Sequence, residues 1–162
     1  MTNELTTRPA EASLIEIRQD PHRFPRLKTY TAGDAAAAIL PIVSMAYNYR
    51  GQHAADGILQ VTAESLANEL LRNDAGSADL SVEEIRYAIR KEVLTAENFY
   101  PCVASLYRCV MNYVKGEGHQ LQAQIKARRL DADRKALRDS AVGTMLAAYS
   151  IEMINNNKPS TK

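Results

Sequence analysis

From His119 to about Asn155 the helical pattern of this 162-residue chain meets no breaker except Gly143. A single helix of ~36 residues would be ~54 Å long. A compact domain of this size is only ~40 Å across by radius-of-gyration scaling. The last helix must therefore either bend near Asp139–Gly143 or project. Either way, a large part of the chain is committed to one rod, which leaves little for a sheet. The remaining pattern agrees. Aromatic residues make up 6%, no long alternation of β-branched residues occurs, and Asp56-Gly57 has no flanking strands. The expected fold is all-α: a single-domain bundle of five or six helices with a long C-terminal helix. Residues 13–155 form the helical domain, and residues 1–12 and 156–162 are polar, disordered tails. No repeat of 30–45 residues is visible.

Each helix has its own local signals. Ala12–Gln19 reads as a short helix ended by Pro21, and Pro25 keeps the following connection extended. Phe24 and Leu27 pin that connection to the core. Thr31 caps a helix over Ala32–Tyr49, which Pro41 kinks or divides. Residues 51–60 read as a loop. Thr62 then caps a helix over Ala63–Arg72, with Leu66 and Leu70 on its buried face. Ser81 and Glu84 fit a capping box, in which each side chain satisfies the other's free amide. Ile85, Ala88, Ile89 and Val93 form the stripe behind it. Pro101 suits the first turn of the next helix, which the Gly-Glu-Gly at 116–118 should break.

Composition narrows the function. Twenty Lys and Arg face 19 Asp and Glu, a net charge of +1, which excludes a strongly basic nucleic-acid coat. No apolar run reaches the ~18 residues that span a bilayer, and residues 1–13 lack the apolar core of a secretory signal. Cys102 and Cys109 are two turns apart, so on one helix they lie ~10 Å apart, beyond disulfide reach. Two reduced thiols point to a cytoplasmic protein. His22, His53 and His119 are isolated, and metal-ligand spacings are missing. So are GxSxG, GxxxxGK[ST] and GxGxxG. Glu83 and Glu84 are better used against a helix dipole than as an acid–base pair. The expectation is a non-enzymatic protein without cofactor, metal or membrane partner. A buried acidic cluster beside a pocket would favour an enzyme instead.

Two segments are candidate interfaces. The first is KARRLDADRKALR, residues 126–138. Lys126, Arg128, Arg129, Arg134, Lys135 and Arg138 outweigh Asp131 and Asp133 there, a local +4 in a chain otherwise near −3. On a helical wheel these cations spread widely, while Leu130 and Leu137 share one side. The plainer reading is a solvated helix; the functional one is an arm that contacts phosphates or a protein partner. Next to it, AVGTMLAAYSIEMI (141–154) clusters Val142, Met145, Leu146, Tyr149 and Met153 on a broad side. That side either closes the core or pairs two protomers. The second candidate is 62–94, whose second helix carries Arg86, Tyr87, Arg90 and Lys91. These would suit a recognition helix of helix-turn-helix type. The loop at 73–80 is about twice the usual 3–4-residue turn, so two packed core helices are the plainer reading.

LSVEEIRYAIRKEV, a linker, and FYPCVASLYRCV follow one another here, with Phe99, Tyr100 and Pro101 at the entry to the next helix. With that aromatic–proline entry leading into the next helix, not the long C-terminal one, residues 30–115 resemble small helical proteins of phage replication modules, the helicase-loader-inhibitor type. The resemblance implies a protein-binding adaptor of a mobile element, whose partner is a replication protein. The N-terminal proline-rich segment and the basic C-terminal helix depart from that pattern. The expectations are thus an interaction module, with the C-terminal helix as its working surface and as a route to a homodimer, or a helix-turn-helix-like DNA-binding regulator.

Overall fold

Ser81 and Glu84 form the expected capping box. Ser81 Oγ accepts from the Glu84 amide at 3.2 Å, and the Ser81 amide donates to Glu84 Oε2 at 3.0 Å. This start launches α4 (Val82–Thr95), whose buried stripe is the predicted Ile85, Ala88, Ile89 and Val93. The computed structural model of the chain describes residues 13–72 and 76–156, with side chains as far as Met145. Expectations for both tails lie outside these residues. So do those for part of the 73–79 loop and for the side chains of Leu146, Tyr149 and Met153. Among the described residues the chain is all-α, with no strand beyond an isolated bridge between Arg26 and Ser81.

The chain divides into two compact units, Met1–Leu121 and Gln122–Lys162. In the first, α1 (Leu14–Gln19) starts at a second capping box, Ser13 with Glu16, and stops before Pro21. Leu27 pins the extended connection as expected: its amide donates to the Leu80 carbonyl at 2.8 Å and its side chain is fully buried. Phe24 is half-buried. α2 (Ala32–Tyr49) runs through Pro41 without dividing. Pro41 and Ala37 are both exposed, so the carbonyl that loses its donor lies on the water side.

α3 (Asp56–Arg72) begins before its expected start at Ala63. Thr62 is a buried residue inside it, not its cap. The early turns escape sequence reading because Gly57 opposes helix, and Ile58 and Val61 face outward, so no apolar stripe marks them. α5 (Val103–Tyr113) follows Cys102, with Pro101 ahead of the first turn rather than within it. Ser105 Oγ accepts from the Cys102 amide at 3.0 Å and donates to the Tyr100 carbonyl at 2.6 Å. α2 packs on α3 and α4, α5 packs on α3 and α4, and α1 lies against α4. Their shared core includes the fully buried Ile39, Ile42, Leu66, Leu70, Ile85, Ile89 and Leu106. Each such side chain contributes about 1.5–3 kcal/mol by leaving water.

The Gly-Glu-Gly segment does not break the helix after α5. Val114–Gly118 instead form a π-helical turn, which leads directly into α6 (His119–Asn156). A side chain at Gly118 would be tight there: a Cβ would stand 3.0 Å from the Tyr113 carbonyl oxygen and 3.3 Å from Cε1 of its ring. The second unit contains the rest of α6. Gly143 does not end the helix.

Candidate functional site

Glu84 does more than cap α4. Its side chain has no exposure, and its Oε1 lies 2.8 Å from Arg18 Nε while its Oε2 lies 2.9 Å from Arg26 Nη1. The Tyr113 hydroxyl donates to Oε1 at 3.2 Å. Arg26 also reaches the Arg18 carbonyl, and Arg18 Nη1 donates to the Gly118 carbonyl at 3.1 Å. A charge this deep is tolerated only when paired and hydrogen-bonded. Here both oxygens are engaged, so the carboxylate has no face left for a substrate. It binds α1, the connection at Arg26, α4 and α5 to one another, and Arg18 extends the network to the π turn. Burial raises the Tyr113 hydroxyl pKa, and the Glu84 charge adds to the rise.

The outer face of α4 carries Arg86, Tyr87, Arg90 and Lys91, all exposed. Tyr87 and Lys91 are committed within the molecule. The Tyr87 hydroxyl donates to Glu117 Oε2 at 3.1 Å, and the Lys91 ammonium pairs with Glu117 Oε1. The Lys91 hydrogen bond holds the Glu117 carboxyl below its ordinary range, and the same bond raises Lys91. Tyr87 is raised by burial first and by its bond to Glu117 second. Its ring meets that of Tyr113 edge-on, centroids 5.9 Å apart. Between α1 and α4 a groove of about 420 Å³ is floored by Leu14, Ile17 and Phe24 and rimmed by Glu83, Arg86 and Arg90. The Arg23 guanidinium covers the Phe24 ring at 5.1 Å.

In the second unit, Lys126, Arg128, Arg129, Arg134, Lys135 and Arg138 are all exposed. Arg134 Nη1 approaches Asp131 at 3.9 Å, a solvated pair one turn apart. The apolar residues of this stretch are exposed as well: Leu130 by 50%, Val142 by 55%, Leu137 by 72% and Met145 by 74%. Every residue from Lys126 to Met145 is exposed.

Sequence reading singled out α6 and the face of α4 but missed Arg18, Arg26, Tyr113, Glu117 and Gly118. The capping box pointed to Glu84, and nothing local pointed to guanidiniums 58 or more residues away. The Gly-Glu-Gly triplet was the available signal for the turn, and it reads as a breaker. Among the described residues no group of His, Cys, Asp or Glu is placed to hold a metal ion, and no helix is long and apolar enough to cross a membrane. Compared with known proteins, the chain matches no family model, no curated protein and no solved structure.

Proposed function

We propose that this chain is a non-enzymatic helical interaction module whose working surface is α6. One observation carries the reading: a helix of 38 residues whose span from Lys126 to Met145 is exposed throughout, Leu137 and Met145 included. In proteins, most of a helix's stability comes from packing an apolar face rather than from propensity. A rod that exposes leucines and methionine along its length is suited to being covered by a partner. The first unit is held together around Glu84. The resemblance of residues 30–115 to phage replication-module proteins makes a replication accessory the setting for such a module, with a replication protein as its partner.

A test is the double variant Leu130→Glu/Leu137→Glu, followed by hydrogen exchange. An interaction surface predicts unchanged protection across α2 to α5. Lost protection there would mean that the stripe belongs to the core, and the reading would fall.

The second reading is nucleic-acid binding. It draws on the local +4 of residues 126–138 and fits the cations better than the stripe. Fluorescence anisotropy with a short duplex and a single strand separates the two. Phosphate contacts predict binding at low salt, steep loss as salt rises, and loss in Arg128→Glu/Arg129→Glu/Arg134→Glu. A protein-binding surface predicts no such titration.

A further inference from the structure

In the groove between α1 and α4, apolar and cationic side chains of the first unit converge. Leu14 and Ile17 lie one turn apart on α1, and Phe24 comes from the connection that follows. Leu14 and Phe24 are half-buried, so this floor is neither sealed in the core nor dispersed over the surface. Tyr87 adds its ring as a wall, its hydroxyl being held by Glu117. The space of about 420 Å³ falls within the range of about 300–1,000 Å³ that holds small molecules. A floor of three side chains is small against the roughly 800 Å² that each partner of a stable protein interface buries. Size therefore points to a small ligand.

Charge decides the polar end of that ligand. Arg86 and Arg90 stand one turn apart on the rim, and the Arg23 guanidinium lies over the Phe24 ring. Other charges nearby are already matched. Glu84 is held by Arg18 and Arg26, and Lys91 by Glu117. Glu16 accepts from the Ser13 amide and also faces Arg23. Glu83 is the carboxylate on the rim. Counting both Glu16 and Glu83 against Arg23, Arg86 and Arg90 still leaves the groove positive. Arg90 has an interaction within the chain. Arg86 is exposed and, among the described residues, has no hydrogen-bond or ion-pair partner. Its planar fork of donors matches a carboxylate bidentately. One uncommitted guanidinium beside Glu83 suits a monoanion better than a phosphate dianion.

From this convergence we infer that the groove binds a small amphipathic carboxylate, an acyl or aryl acid. Its apolar body lies on Leu14, Ile17 and Phe24, and its carboxylate meets Arg86. The body supplies most of the affinity by leaving water, and the guanidinium supplies the choice of charge. The site belongs to the first unit alone and does not depend on the reading of α6.

An NMR titration of the isotope-labelled full chain with octanoate tests the inference. The amides of Leu14, Ile17, Phe24 and Arg86 should shift together and saturate, with Kd on the order of 1 mM or below. Octanol and octylammonium carry the same chain and should bind at least about fivefold more weakly. Arg86→Gln should weaken octanoate by about three- to tenfold and leave octanol unchanged. Glu83→Gln should tighten octanoate by about twofold. Arg86 is exposed and Glu83→Gln preserves shape, so both variants keep the fold. Absence of a saturable shift at these residues, equal binding of the three probes, or an octanoate affinity indifferent to Arg86→Gln would overturn the site. Shifts confined to α6 would overturn it as well, because they would report adsorption on its exposed leucines and cations. So would groove shifts that follow protein concentration with no probe added, which would make the groove a protein contact.

Discussion

Arg18 and Gly118 are one hundred residues apart in sequence and joined by a 3.1 Å hydrogen bond, guanidinium to carbonyl. The same guanidinium holds Glu84, so the first helix, α4 and the turn into α6 share one buried charge. This arrangement ties a short N-terminal helix to the turn that leads into α6.

Removing that charge should be costly. Glu84→Gln would leave Arg18 and Arg26, both largely buried, without their carboxylate. Breaking one partner of a buried ion pair costs about 3–5 kcal/mol. Urea unfolding should show a loss of that order for Glu84→Gln. The neighbouring Glu83→Gln should stay within about 0.5 kcal/mol. Equal effects would mean that the network contributes little.

Two glycines should respond in opposite directions. Gly118→Ala forces a methyl to 3.0 Å from a backbone oxygen, and overpacking of that kind costs about 1–3 kcal/mol. Gly143→Ala meets nothing within 4 Å inside α6, so it should raise helicity, worth up to about 1 kcal/mol to the helix. Circular dichroism and urea melts of both variants check the contrast.

The surface tie between α4 and the π turn should be sensitive to pH from both sides. Glu117 is lowered in the folded chain, chiefly by Lys91. Its contribution is therefore present above the ordinary carboxylate range and lost as pH falls through its lowered value. Lys91 is raised, chiefly by Glu117. Its contribution is present below the ordinary lysine range and lost as pH rises through its raised value. Glu117→Gln should flatten both arms of the stability profile and bring the Tyr87 ionisation down toward its ordinary value in an NMR titration. An unmoved Tyr87 would contradict the tie.

The two cysteines should differ in reactivity. Burial pushes the Cys109 thiol up to about 11, whereas a hydrogen bond with Ser105 lowers Cys102. The thiolate is the reactive form. Iodoacetamide should label Cys102 first, and Cys109 only as the fold opens; Ser105→Ala should slow Cys102. Equal rates in native buffer would contradict this assignment.

Much of the bundle was legible in the sequence because its signals are local. Ser81 with Glu84, and Thr31 as an N-cap, mark helix starts by chemistry within one turn. The stripe of α4 is a spacing on one helix. Legibility fails where the outcome depends on what lies opposite. The first turns of α3 expose Ile58 and Val61, so their apolar residues show no face. Pro41 does not divide α2 because its side is wet. Gly118 lies within a continuing helix and close against Tyr113, which no spacing rule contains. The candidate interface lay between these cases. Its basic residues were plain from composition, whereas the exposure of Leu130 and Leu137 needed the fold.

Hydrogen exchange of α6 in dilute solution tests the central claim most directly. If α6 is a surface left open for a partner, amides of residues 126–145 should exchange fast in the free chain. Those of α4 and α5 should stay protected throughout. Protection of residues 126–145 at the level of α4 in the most dilute sample would contradict the account, because the stripe would then be covered within a single chain.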